Sequence, residues 1–261
     1  MAPNSVSIPT LITFPPSLDS ELGRFLVQHY GIQCCEKRHA LIFSSFATLR
    51  HGGTVIFPLL YDEFLKLAGP LAIASYYESR CAPPRRLWPA AFNERQTLES
   101  DWTLFNKSLA IATAVFAYYH LLPHRQMMVE PLSSDTSRFE QRAVHRGYSA
   151  FAGLLRVLLR LNRQHADQSL DLVRKIFTGV EARLAGGRSY LVGDRLTLSD
   201  LAFAVAAAPV VLPPNYGGPI PPFEQMPSAV QTVVTEMRAR PAGAFALRIY
   251  QEERDRCGLG A

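Results

Sequence analysis

Apolar positions along the chain change their period once. In the first eighty residues short apolar runs, bounded by proline and glycine, alternate with helical spacings. "TLITFPP" (10–16) is a β-prone run cut off by two prolines, and "SLDSELGRFLVQHYGI" (17–32) then places Leu18, Leu22, Phe25, Leu26 and Tyr30 one helical face apart. "QCCEKRHALIF" reads as a second strand and "SSFATLRHGG" as a short irregular helix closed by glycines. "TVIFPLLY" is strand-like, Asp62 and Glu63 make a turn, and "FLKLA" is the returning strand of a hairpin. "GPLAIASYYESR" completes the unit as a helix with Pro70 in its first turn, where a missing N–H does little harm. These elements predict a small βαβαββα domain over residues 8–81.

"CAPPRRLWPAA" (81–91) breaks the pattern, and from there only helical periodicity remains. The break predicts a linker over 82–92 and an all-helical domain over 93–256. Helices are expected at 93–122, 137–163, 167–185, 198–208, 227–239 and 241–254. In "GDRLTLSDLAFAVAAAPVV" (193–211), Thr197 and Asp200 form a capping-box pattern before a run with no polar face, and Pro209 is expected to end the helix. Such a helix in a soluble chain is buried on all sides. It is too short to span a bilayer, so membrane insertion is not expected. "VLPPNYGGPIPPFEQMP" (211–227) is a long proline-rich loop, read either as functional or as a rigid surface connection.

Composition adds less. The chain has 261 residues, 48% of them hydrophobic, enough for a substantial core. Its net charge of +5 is scattered, with "PPRR" (83–86) the densest cluster, so nucleic-acid binding is not expected. Cys34, Cys35, Cys81 and Cys257 show neither metal-site nor disulfide spacing, and the opening "MAPNSVSIPTLITFPPS" lacks the pattern of a secretory leader. Both point to a reducing, cytoplasmic setting. His120 and His124 are four apart, but Pro123 interrupts the helix between them, and no metal site is expected.

The βαβαββα unit, the break and "YLVGDRLTLSDLAFA" together resemble the cytosolic glutathione transferase superfamily over roughly residues 10–254. Gly193, Asp194, Thr197 and Asp200 match the family's G-D-x-x-[ST]-x-x-D segment, and "MRARPAGAFALRIYQEER" is similar to its closing helices. The resemblance implies a thioredoxin-like first domain followed by the family's all-helical second domain. It also implies a cis peptide at Pro58 of "IFPLL", with Phe57 and Pro58 presenting backbone to glutathione. Ser17 falls where serine-type members carry the group that donates to the glutathione sulfur, with Ser20 as a substitute one turn on. His51 stands where a basic residue often meets the glycyl carboxylate.

At the start of the third helix the family usually carries an acidic or amide residue followed by serine; here Gly69 and Pro70 replace them. Both side-chain contacts to the γ-glutamyl end would be missing, together with one backbone N–H. Trp102, Phe105, Tyr118 and Tyr119 are candidate walls of a pocket for a small hydrophobic molecule, or plain core. The implied activity is attack of a glutathione thiolate on a hydrophobic electrophile. The alternatives are a protein that has lost ordinary glutathione binding and holds a hydrophobic ligand or a partner, and a glutathione-independent enzyme. The resemblance further implies a homodimer.

Overall fold

The computed structural model describes residues 8–52 and 54–255. The opening heptapeptide, Cys257 and residue 256 of the second expected domain lie outside the described residues. The first part of the chain runs β1 (Thr10–Thr13), α1 (Leu18–His29), β2 (Cys35–Arg38), α2 (Leu41–Gly52), β3 (Leu59–Tyr61), β4 (Lys66–Ala68) and α3 (Pro70–Glu78). The four strands form one sheet in the order β2-β1-β3-β4, with β1 parallel to β2 and antiparallel to β3, and β3 antiparallel to β4. This is the thioredoxin-like arrangement. Short strands suffice because both faces are covered: Leu11 and Leu60 on one face, and Ile12 and Leu59 on the other, are completely or almost completely buried.

Helices make up the rest: α4 (Phe92–Trp102), a π-helical segment (Thr103–Leu109), α5 (Ala110–Leu121), α6 (Arg125–Ser133), α7 (Arg138–Leu158), α8 (Arg163–Leu184), α9 (Leu198–Val211), α10 (Ser228–Ala239) and α11 (Pro241–Asp255). The single helix expected over 93–122 is therefore continuous, with one widened turn in its middle. α6 was not expected; Pro131 inside it disguised the period. α2 begins at Leu41, so "HALIF" belongs to a helix entrance and not to the second strand. β3 starts only at Leu59, because Thr54–Pro58 form the loop into a cis peptide. Cys35 is exposed at the start of β2.

α9 is the spine. Apart from Pro209, each of its residues is buried, and Phe203 meets Phe105, Phe177 and Phe245 with ring centroids 5.3, 5.5 and 6.0 Å away. Pro209 does not end it: the helix continues to Val211 and closes at Leu212 in the left-handed region. The lost N–H is tolerated because packing on all sides holds the turn. At the other end the Asp200 carboxylate accepts from the backbone N–H of Thr197 and of Leu191, each at 2.7 Å, and from the Thr197 hydroxyl at 2.8 Å. Among the described residues no helix is long and apolar enough to cross a membrane.

Burial pushes the Asp200 carboxyl from its ordinary 3.8 up to about 6, against these donors and the nearby Arg183. The folded chain thus holds this proton more tightly than the unfolded one. The resulting stabilisation is complete below about pH 4 and is lost as pH rises through about 6. Thermal unfolding of the wild type and of Asp200→Asn between pH 4 and 8 should show the wild type's margin narrowing with rising pH, by up to about 3 kcal/mol. A margin independent of pH would contradict this.

Candidate functional site

Pro15 and Pro16 stop β1, and the chain turns at once into α1. Ser17 is the N-cap: its N–H donates to Phe14 O at 3.1 Å and its Oγ accepts from the Ser20 N–H at 3.3 Å. The two serines differ in what is left over. Ser20 is wholly buried and its Oγ accepts from the Phe14 N–H at 3.1 Å, so it is a fixed part of the turn. Ser17 is half-buried, and its hydroxyl proton has no acceptor among the described residues.

The loop before β3 comes to the same end of the sheet. The Phe57–Pro58 bond is cis, as the resemblance implies. Phe57 stands edge-on to Phe14, centroids 6.0 Å apart. Pro58 O accepts from the Gly69 N–H at 2.8 Å, which sets the start of α3 against the cis-proline. Gly69 has φ 85° and ψ 158°, a conformation essentially restricted to glycine. Pro70 follows at the first helical position and has no N–H to offer. The Ile56 side chain lies against Gly69, where a Cβ would stand 3.4 Å from its methyl. Phe57, Pro58, Gly69 and Pro70 are thus brought together, under an apolar rim. His51, at the end of α2, stacks on Tyr61 at 4.6 Å. Burial first, then Arg50, Lys37 and Lys66, hold its pKa below the ordinary 6.5, so the imidazole is neutral at pH 7.

On the other side of Ser17 an apolar cavity of about 100 Å³ lies between the two halves of the chain. Pro16 and Leu18 form one wall, Tyr118 and Leu121 of α5 another, and Tyr216 and Ile220 of the proline-rich loop its roof. Of the four expected wall residues, Tyr118 is here. Phe105 is wholly buried against Phe203, Trp102 packs on the helical core, and Tyr119 contacts His120. The residues that the sequence reading missed are those of the roof, since nothing in a proline-rich loop says which way it folds back. Burial raises the Asp19 carboxyl, with Asn106 opposing it.

The roof is held by ions. Arg24 is 5% exposed and donates to Glu36 at 2.8 Å, Glu21 at 3.2 Å, Pro15 O at 3.3 Å and the Thr13 hydroxyl at 3.3 Å. Burial opposes its charge, but Glu36 and Glu21 together hold its pKa above the ordinary value. Burial likewise raises Glu36, and Arg24 and Thr13 outweigh it to hold the carboxyl low. The Gly217 N–H donates to both oxygens of Glu21, at 3.0 and 3.1 Å, and Gly217 O accepts from Arg38 at 2.9 Å. Arg254 of α11 pairs with Glu21 as well.

Comparison with known proteins agrees with this architecture. Residues 144–241 match the family model "Glutathione S-transferase, C-terminal domain". No match is found among curated proteins. Among solved structures, a glutathione S-transferase from Sinorhizobium meliloti is similar over 93% of both chains, with 18% identity and a TM-score of 0.54. One from Rhodospirillum rubrum is similar over 93% of this chain and 91% of its own, with 14% identity and a TM-score of 0.58. A glutathione transferase from Pseudomonas putida, with one glutathione disulfide bound per subunit, is similar over 95% and 94%, with 12% identity and a TM-score of 0.54.

A Cβ on Gly218 would stand 2.5 Å from Pro15 O, a backbone atom that cannot swing away. Gly218→Ala should therefore lift the roof from the α1 turn and lower stability by about 1–3 kcal/mol in denaturant unfolding. A variant as stable as the wild type would show that the loop does not approach so closely.

Proposed function

We propose that this chain, a divergent member of the glutathione transferase superfamily, is a cytoplasmic enzyme that directs a glutathione thiolate at a hydrophobic electrophile. One observation carries the reading: Ser17, whose hydroxyl proton has no acceptor among the described residues, lies in the chain between Pro16 and Leu18 of the apolar pocket's wall, and Phe14 just before it packs on Phe57 of the cis-proline loop. The tripeptide backbone would pair with Phe57 next to Pro58. Its sulfur would face Ser17, whose O–H would stabilise the thiolate over the thiol. The electrophile would occupy the pocket across from it, with Tyr118 in its wall.

A second reading is favoured by Gly69, Pro70 and Ile56: a protein that has lost ordinary glutathione binding and uses the pocket for a hydrophobic ligand, or for glutathione-independent chemistry. Losing two or three hydrogen bonds to the charged γ-glutamyl end, at about 1.5–3 kcal/mol each, lowers affinity by orders of magnitude. The neutral His51 adds little attraction for the glycyl carboxylate. Subunits would pair as a homodimer, which would also cover apolar side chains such as Phe64 and Phe139, 90% and 70% exposed.

Calorimetric titration with glutathione separates the two readings. A dissociation constant at or below the millimolar range supports thiolate chemistry, and no heat at about ten millimolar supports the second reading. With an activated aryl halide as electrophile, Ser17→Ala should lower turnover about a hundred-fold. Ser17→Asp keeps an acceptor for the helix cap and so should restore stability but not turnover. Equal turnover in all three proteins would remove Ser17 from the chemistry.

A side chain at position 69 would be strained, so the γ-glutamyl contacts are best restored through Pro70→Ser alone. Glutathione affinity should then rise about five- to ten-fold; an unchanged affinity would mean that the start of α3 does not face the tripeptide. Sedimentation should give about twice the 29.1 kDa chain mass, and a monomer at micromolar concentration would contradict the dimer.

A further inference from the structure

α2 is built inside out. It lies on the sheet face of Leu59 and Tyr61: a Cβ on Gly52 would stand 2.8 Å from the Leu59 side chain, and His51 stacks on Tyr61. The residues that it buries completely are Ser44 and Thr48, four apart, whose hydroxyls donate to carbonyls of the helix itself, Leu41 O at 2.6 Å and Ser45 O at 3.0 Å. Outward, at helical spacing, stand Ile42, Phe46 and Leu49, 39%, 65% and 49% exposed. A surface helix ordinarily arranges its two faces the other way round. Three large apolar side chains aligned in solvent mark a surface that something else covers.

Cations surround this stripe. Arg50 follows Leu49 on the helix, Lys37 is the cross-strand partner of Ile12 on the edge strand β2, and Lys66 is that of Tyr61 on the opposite edge strand β4. Ile12 is in turn opposite Leu59, so both lysines belong to the face that α2 covers and flank the helix from either side. All three cations are exposed, and none makes an ion pair among the described residues. Residues 37–61 contain no Asp or Glu. At the entrance of α2, Asp135 is engaged by Arg38, and Glu140 by His39 and the Ala40 N–H. Asp62 and Glu63 lie beyond the stretch in the hairpin turn, where Asp62 accepts from two backbone N–H groups.

We propose that this face of α2 docks on an anionic membrane surface, with Ile42, Phe46 and Leu49 entering the acyl boundary and Lys37, Arg50 and Lys66 among the charged headgroups. An anionic bilayer offers an apolar medium and a layer of negative charge side by side, which is the pairing that this face presents. A second copy seated two-fold on the same face would set the three cations against each other. The chain lies on the membrane and does not cross it, and the contact requires neither glutathione nor Ser17.

Co-sedimentation of the full chain with vesicles of phosphatidylcholine containing about a third phosphatidylserine, and of phosphatidylcholine alone, tests the proposal. The wild type should partition onto the anionic vesicles at least about ten-fold more strongly, and about 0.5 M salt should release it. Phe46→Ser, at an exposed position, should weaken partitioning about ten-fold with an unchanged melting temperature, and Arg50→Gln about five-fold. Val157→Ser, at an exposed apolar position on α7, should change nothing. No binding to anionic vesicles, equal binding to both kinds, or equal losses from Phe46→Ser and Val157→Ser would overturn the proposal. Without lipid, Phe46→Ser should sediment as the wild type does; dissociation of the variant would assign the face to a second copy and overturn the membrane.

Discussion

The structure turns on a buried guanidinium. Arg24 reaches from α1 to both parallel strands, through Thr13 and Glu36, and to the carbonyl of Pro15 beside the helix cap. Its acidic partner Glu21 extends the same network to the proline-rich loop and to α11. Neither ion would remain buried alone: a lone charge at these sites would cost several kcal/mol, and the pairing with well-placed donors offsets that cost. Such a hub is weak evidence for added stability but strong evidence for a fixed geometry. It sets where β1 stops, where Ser17 caps, and where the roof of the pocket lies.

Much of this fold was legible in the sequence, for reasons that differ by element. The capping box at Thr197 and Asp200 and the apolar run after it could be read because burial on all sides leaves no polar face. The hairpin of β3 and β4 was legible from its turn, where the Asp62 carboxylate accepts from the N–H groups of Phe64 and Leu65 at 2.7 Å each. α6 was not, because Pro131 lies within it. Pro209 misled in the same way, since local propensity says nothing of the packing that carries a helix past a proline.

The candidate site divides similarly. Ser17, Pro58 and Gly69 were found through a family pattern, and the structure puts their elements at one end of the sheet. Which of Trp102, Phe105, Tyr118 and Tyr119 would face a cavity was not readable, as all four sit on one long helix and only tertiary packing distinguishes their faces. The π-helical segment compounds this by shifting the register between Trp102 and Ala110. The roof was beyond reach, since its position depends on Glu21 and Arg38, far away in the chain.

Proline takes half of positions 213–222 of the loop, so no ladder of its own can hold it in place. The Gly217 amide donates to a carboxylate already engaged with Arg24 and Arg254. β1, α1 and β2 together supply what the loop closes upon, and the long sequence separation makes that closure costly in chain entropy. The cavity therefore belongs to neither part of the chain alone: its walls come from the α1 turn, α5 and this loop, and it exists only where all three meet.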